Sequence, residues 1–163
     1  MKKDGNLAML ISRKALDCKQ YHTQLESVTW ATCALRSWLN SSFLNTAFNA
    51  EEQARIQITT NINADNPRWG TAGGNDTQDK VFCLSSDEFD KYGRGGCIPT
   101  EYTVAQGAYT HRGGKGEYDD CYWWLRSPGY ESWYAAANTF NIEGLYVNYE
   151  NVAVRPVIVV NLS

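Results

Sequence analysis

The sequence predicts an α+β domain with short helices early and an antiparallel sheet late. Three observations carry that prediction. Apolar residues from Cys33 to Ala47 recur at three- and four-residue steps, as on one face of a helix. The last third holds short strand-like runs and closes on the near-continuous apolar "VIVVNL". Helical and strand patterns are segregated along the chain, which argues against an alternating parallel sheet. With 163 residues, 43% hydrophobic and 20% charged, residues 1–163 suit one domain around a single core.

Each element follows in order. "NLAMLISRKAL" places Leu7, Met9 and Ile11 on one face of a strand that leads into a turn. Leu35, Trp38, Leu39, Ser42, Phe43 and Ala47 mark the apolar face of the first helix, read as core packing ahead of a ligand groove. Asn49 followed by Glu52 is a capping-box pattern, so a second helix starts there and carries Ala54 and Ile56 inward. "IQITT" reads as a strand. Residues 61–78, rich in Asn, Asp and Gly, read as a surface loop. Its Asp65, Asp76 and Asp79 supply oxygens of the kind calcium takes, although Asn and Asp are also the usual turn formers. "DKVFCLS" is a strand, and Ser85 with Glu88 opens a short helix. "YGRGGC" is a turn lacking the frame of a phosphate loop. Pro99 and Thr100 start a helix that reaches Ala105, and "THRGGKGEYDD" is another loop. "YWWLRS", a strand pair within 133–149 and a central "VIVVNL" complete the domain. The alanines 135–137 are read as packing and Gly144 as a turn glycine.

Composition narrows the function. A net charge of −3 with scattered Lys and Arg argues against nucleic acid. The apolar runs are too short to span a bilayer, so no membrane insertion is expected. "MKKDGNLAML" has neither the apolar stretch nor the cleavage site of a signal peptide. Five cysteines, at 18, 33, 83, 97 and 121, show no CxxC pair and no zinc spacing. They are read as buried thiols, with a Cys97–Cys121 disulfide or a catalytic thiol as alternatives. His22 and His111 are read as ordinary structural histidines.

The informative stretch runs from Trp123 to Val157. Its ends, "WWLRSPG" and "VRPV", look fixed by packing. Between them stand Tyr130, Glu131, Trp133, Tyr134, Asn138, Phe140, Asn141, Ile142, Leu145, Tyr146, Asn148, Tyr149 and Asn151. Tyr and Trp offer large amphipathic area with few rotatable bonds, and Asn offers donors and acceptors without charge. The mix is that of a binding surface more than of an active site, and these residues are the candidate ligand contacts. The alternative makes the aromatics the inward face of a hairpin. Trp123, Trp124, Arg126 and Arg155 are expected to support the segment, with the two arginines acting as struts ahead of anion binders.

"ALRSWLNSSFLNTAF", "DKVFCLSSDE", "WWLRSPG" and "AVRPVIVVNL", in this order and over nearly the whole chain, resemble the bacterial and phage domain family DUF6273. The resemblance implies a C-type lectin-like fold, in the branch of the formylglycine-generating enzymes. It also implies a likeness to the variable proteins of diversity-generating retroelements, with residues 123–155 as the variable region. In such proteins Asn codons of the form AAC are rewritten at their adenines. Glu131, Trp133 and Glu150 then come from other codons or stay constant. Family members usually begin with a further strand, which this chain is expected to lack, leaving a sheet edge unpaired. The expected function is ligand binding by a diversified surface. A fixed lectin-like adhesin for glycans is the alternative, and catalysis, which needs neighbouring thiols and a metal or oxygen site, ranks last. The expected partner is a protein or glycan, with no cofactor beyond the calcium considered above. The location stays open among bacterial cytoplasm, phage particle and a cell surface reached through a segment outside this sequence.

Overall fold

The structure, a computed structural model, describes residues 2–93, 96–112, 118–138 and 143–162. Phe140, Asn141 and Ile142 lie outside the described residues, as do the centres of "YGRGGC" and "THRGGKGEYDD". The architecture is α+β, with a few short helices and several small antiparallel sheets.

The largest sheet has the order β1 (Lys2–Asp4), β2 (Leu7–Ile11), β13 (Val157–Asn161), β6 (Val81–Phe82). Leu7 faces Asn161 and Ile11 faces Val157, so the first and last parts of the chain meet in one sheet. "VIVVNL" is central in its pairing, yet only Val157 of β13 is fully buried. The expected unpaired edge does not occur at β2. A turn at Gly5, with φ at +58°, folds β1 against it.

The early helix is continuous: α1 (Ala34–Trp38), a π turn (Leu39–Phe43) and α2 (Leu44–Ala47). The Cys33 thiol accepts the Arg36 N–H, and His22 Nδ1 accepts the Ala34 N–H at 3.2 Å. Two donors of the first turn are thereby satisfied. The buried residues are Leu35, Leu39 and Leu44, a step of four and then of five. The π turn supplies the extra residue and rotates the face. Ser42 and Ala47, expected inward, are exposed for that reason, and Trp38 and Phe43 are half-buried.

Helix α3 (Ala50–Arg55) has the capping box: Asn49 Oδ1 accepts the Glu52 N–H at 3.0 Å, and Glu52 Oε2 accepts the Asn49 N–H at 2.8 Å. It is too short to bury a face. Ala54 is exposed, contrary to expectation, while Ile56 leaves the helix in an extended conformation and is buried beside Val160.

Strand β3 (Asp17–Cys18) pairs with β12 (Ala153–Val154), and β4 (Thr59–Asn61) with β5 (Thr77–Asp79). The second pair corrects the surface-loop reading of 61–78. Its ends form a hairpin, and Asn61, Asn63, Asn66 and Thr77 are buried. Asp79 is a core residue. Its carboxylate accepts from Trp30 Nε1 (3.0 Å), Arg36 Nε (2.6 Å), Asn61 Nδ2 (2.9 Å) and Thr77 Oγ1 (2.7 Å). Asp65 and Asp76 accept the N–H groups of Gly73 and Asn63. The three aspartates therefore hold the chain's own donors. Among the described residues no group of three or more His, Cys, Asp or Glu is placed to hold a metal.

Helix α4 (Ser86–Glu88) begins with the Ser85/Glu88 capping box, and α5 (Glu101–Ala105) with Thr100 as N-cap. The ends of "THRGGKGEYDD" are strands, not loop: β7 (Thr110–Arg112) pairs with β8 (Tyr118–Cys121). All five cysteines are buried free thiols. Cys121 Sγ donates to the Cys97 carbonyl at 3.0 Å, so the pair weighed as a disulfide stands side by side and reduced. No helix among the described residues is long and apolar enough to cross a membrane.

Candidate binding surface

The aromatic segment is built on a three-stranded sheet of β9 (Trp124–Pro128), β10 (Tyr134–Ala137) and β11 (Leu145–Tyr146), with β10 in the middle. Tyr134 pairs with Tyr146, and Ala135 with Leu145. Strand alternation then turns the two tyrosines to one face and sends Ala135 and Leu145 against the core. A register shift between Ala135 and Ala137 lets all three alanines of β10 be buried.

Two glycines make this close packing workable. A Cβ on Gly144, whose φ is +96°, would lie 2.8 Å from the Ala135 carbonyl oxygen. One on Gly129 would lie 2.6 Å from Tyr134 Cβ and 2.7 Å from the Glu143 carbonyl oxygen.

On the outer face the rings form a continuous row. Centroid distances are 6.1 Å for Trp69–Tyr130, 4.4 Å for Tyr130–Tyr134, 4.4 Å for Tyr134–Tyr146 and 5.4 Å for Tyr146–Tyr149. Tyr130 and Tyr149 are exposed, at 38% and 42%, and Tyr134 and Tyr146 between them are half-buried. Hydrogen bonds with Tyr130 and then Tyr146 hold the Tyr134 hydroxyl well above the ordinary tyrosine pKa. The row is thus a pre-ordered strip of ring surface edged by hydroxyls.

The remaining candidates divide. Trp133 is exposed at 40%. Glu131 is half-buried beside the row, and Leu145 packs inward. Asn138, expected at the surface, is a strut: its Oδ1 accepts the Trp123 N–H at 2.6 Å and its Nδ2 donates to the Cys121 carbonyl. Asn148 is half-buried, and its carbonyl accepts Gln20 Nε2 at 2.9 Å. Asn151 is exposed away from the row, because its carbonyl takes the N–H of Tyr109 in a separate cluster of Tyr109, His111 and Tyr122.

Beneath the row the chain is locked. Trp123 and Trp124 are wholly buried, and Trp124 Nε1 donates to the Lys19 carbonyl at 2.7 Å. Arg126, 4% exposed, grips the Glu88 carboxylate with both terminal nitrogens and donates to the carbonyls of Cys83 (3.0 Å) and Ile62 (3.4 Å). Arg155 Nε donates to the Ser12 carbonyl at 2.9 Å, and its guanidinium lies 4.9 Å from the Trp123 ring centre. Arg126 spends both terminal nitrogens and Arg155 its Nε on groups inside the protein, the geometry of struts.

Sequence reasoning missed Trp69 and the loop that presents it. Asn66 is the anchor. Its Nδ2 donates to the carbonyls of Pro128 (2.9 Å) and Gly129 (3.2 Å), and its Oδ1 accepts the N–H groups of Arg68 and Trp69. Thr71 Oγ1 donates to the Tyr130 carbonyl at 2.8 Å. The available signal was "NPRWG", a large aromatic held in a turn-forming stretch. At the far end of the row, a groove of about 390 Å³ runs past Trp38, Lys19, Gln20 and Glu150.

No curated protein and no solved structure matches the chain. A family model does match, over residues 5–162, and by that match the chain belongs to DUF6273, a domain family of unknown function.

Proposed function

We propose that the chain is a non-catalytic binding protein on a C-type lectin-like scaffold, and that the row from Tyr130 to Tyr149 is its diversified, retroelement-targeted binding surface. One observation carries the reading. Four tyrosines that touch one another face outward, while the residues paired or alternating with them, Ala135 and Leu145, face the core. Such a division lets outer side chains be exchanged while the packing beneath stays constant. The antiparallel pairing of β2 with β13, which joins the two ends of the chain, supports the lectin-like reading.

The test is genetic. The DNA flanking the gene is sequenced and searched for a near-copy of the region coding for residues 123–155, differing only at adenines, beside a reverse transcriptase. Its presence is the expected result. Its absence would leave the second reading, a fixed adhesin for glycans. That reading is favoured by the hydroxyl-edged rings of the row and is examined by a glycan array.

A further inference from the structure

We propose that the tyrosine row receives a protein partner through Lys and Arg side chains on that partner; this rests on the reading of the row as a binding surface. The charge of the segment is one-sided. From Tyr130 to Asn151 it contains Glu131, Glu143 and Glu150 and no Lys, Arg, His or Asp. The three glutamates bracket the row along the backbone. Glu131 follows Tyr130, the Tyr130 N–H donates to the Glu143 carbonyl at 3.0 Å, and Glu150 follows Tyr149 at the other end. Among the described residues neither Glu131 nor Glu150 has an ion-pair partner within 4.0 Å.

The chain itself shows how such a surface seats a cation. The Arg68 guanidinium lies 4.7 Å from the Trp69 ring centre, with Nη1 3.9 Å from Glu143 Oε1. In the groove at the opposite end, Lys19 Nζ lies 4.6 Å from the Trp38 ring centre, and Glu150 lines the same groove. A cation over an aromatic face near a carboxylate therefore occurs beside each end of the row. Between them, no Lys or Arg among the described residues stands over Tyr130, Tyr134, Tyr146 or Tyr149. These four rings are the seats left for a partner's cations. A glycan's hydroxyls would leave Glu131 and Glu150 without an ion-pair partner, whereas Glu143 already has Arg68. Glutamate codons end in a purine, so adenine changes in an AAC codon do not produce them.

The full chain is titrated with short blocked peptides carrying two Arg, two Lys, two Glu or two Gln, and the tyrosine ring resonances are followed by NMR. The Arg and Lys peptides are expected to shift the rings of Tyr130 to Tyr149. Their affinity should fall at least about threefold in the variant E131Q/E143Q/E150Q, whose melting temperature is expected within a few degrees of wild type. It should also fall on raising the salt to about 0.5 M. Equal or tighter binding of the Glu or Gln peptides would overturn the proposal. So would the absence of ring shifts, or a glycan that shifts the same rings at lower concentration than any peptide. A DNA repeat found alongside such a failure would leave the diversified surface standing and remove only its preference for cations.

Discussion

Replacing Arg126 with Met tests whether the scaffold beneath the row is held by struts. Arg126 is 4% exposed, pairs with Glu88 through both terminal nitrogens and donates to two backbone carbonyls. Met keeps most of the apolar volume and removes every one of these donors. Breaking a buried ion pair from one side costs about 3–5 kcal/mol. The Glu88 side chain is 30% exposed and keeps the Ser85 N–H, so water and the cap recover part of the loss. We therefore expect about 3 kcal/mol. In a domain of this size that is a fall of about 6–12 °C in melting temperature. Urea titration of the wild type, Arg126→Met, Glu88→Met and the double variant closes a cycle, in which the two losses should couple by more than about 1 kcal/mol. Arg126→Met within about 1 kcal/mol of wild type, or additive losses, would refute the strut.

Three further outcomes follow from the same geometry. Asp79→Asn replaces a wholly buried carboxylate that accepts from five side chains, and should cost about 3–5 kcal/mol in urea denaturation. Asn66→Ala should cost about 1–3 kcal/mol and weaken the Trp69–Tyr130 contact, read as loss of the nuclear Overhauser effects between the two rings. Burial pushes the Cys33 thiol up from 9.0 to about 12. A raised folded-state pKa gives stability that is present below pH 9 and lost as pH rises towards 12, because only the unfolded thiol ionises in that window. Between pH 9 and 11, wild type should lose about 1 kcal/mol per pH unit more than Cys33→Ala does.

What was legible in the sequence was mostly local. Both capping boxes act within four residues, and each is found where its pattern placed it. The strand around Leu7 to Ile11 and the apolar "VIVVNL" were visible through periodicity, and the structure pairs them with each other. The π turn was not visible, because one inserted helical residue leaves the apolar spacing nearly unchanged while rotating Ser42 and Ala47 outward. Asp79 was misread for a different reason. An aspartate in a turn-rich stretch resembles a loop residue or calcium ligand until Trp30 and Arg36, more than 40 positions away, are folded onto it. Within the aromatic segment, the tyrosines were recognisable by composition. Their order as a single row, the inward turn of Leu145 and the joining of Trp69 required the register of β10 against β11 and the reach of Asn66.

The central claim is that the row can change while the scaffold stays fixed. The direct measurement is the melting temperature and urea stability of Tyr146→Ser/Tyr149→Ser beside wild type. Both side chains lie on the outer row, and the account predicts a combined loss below about 2 kcal/mol with the cooperative transition retained. A collapse of the transition, as large as that expected for Arg126→Met, would mean that the tyrosines hold the fold together and that the row is packing rather than a binding surface.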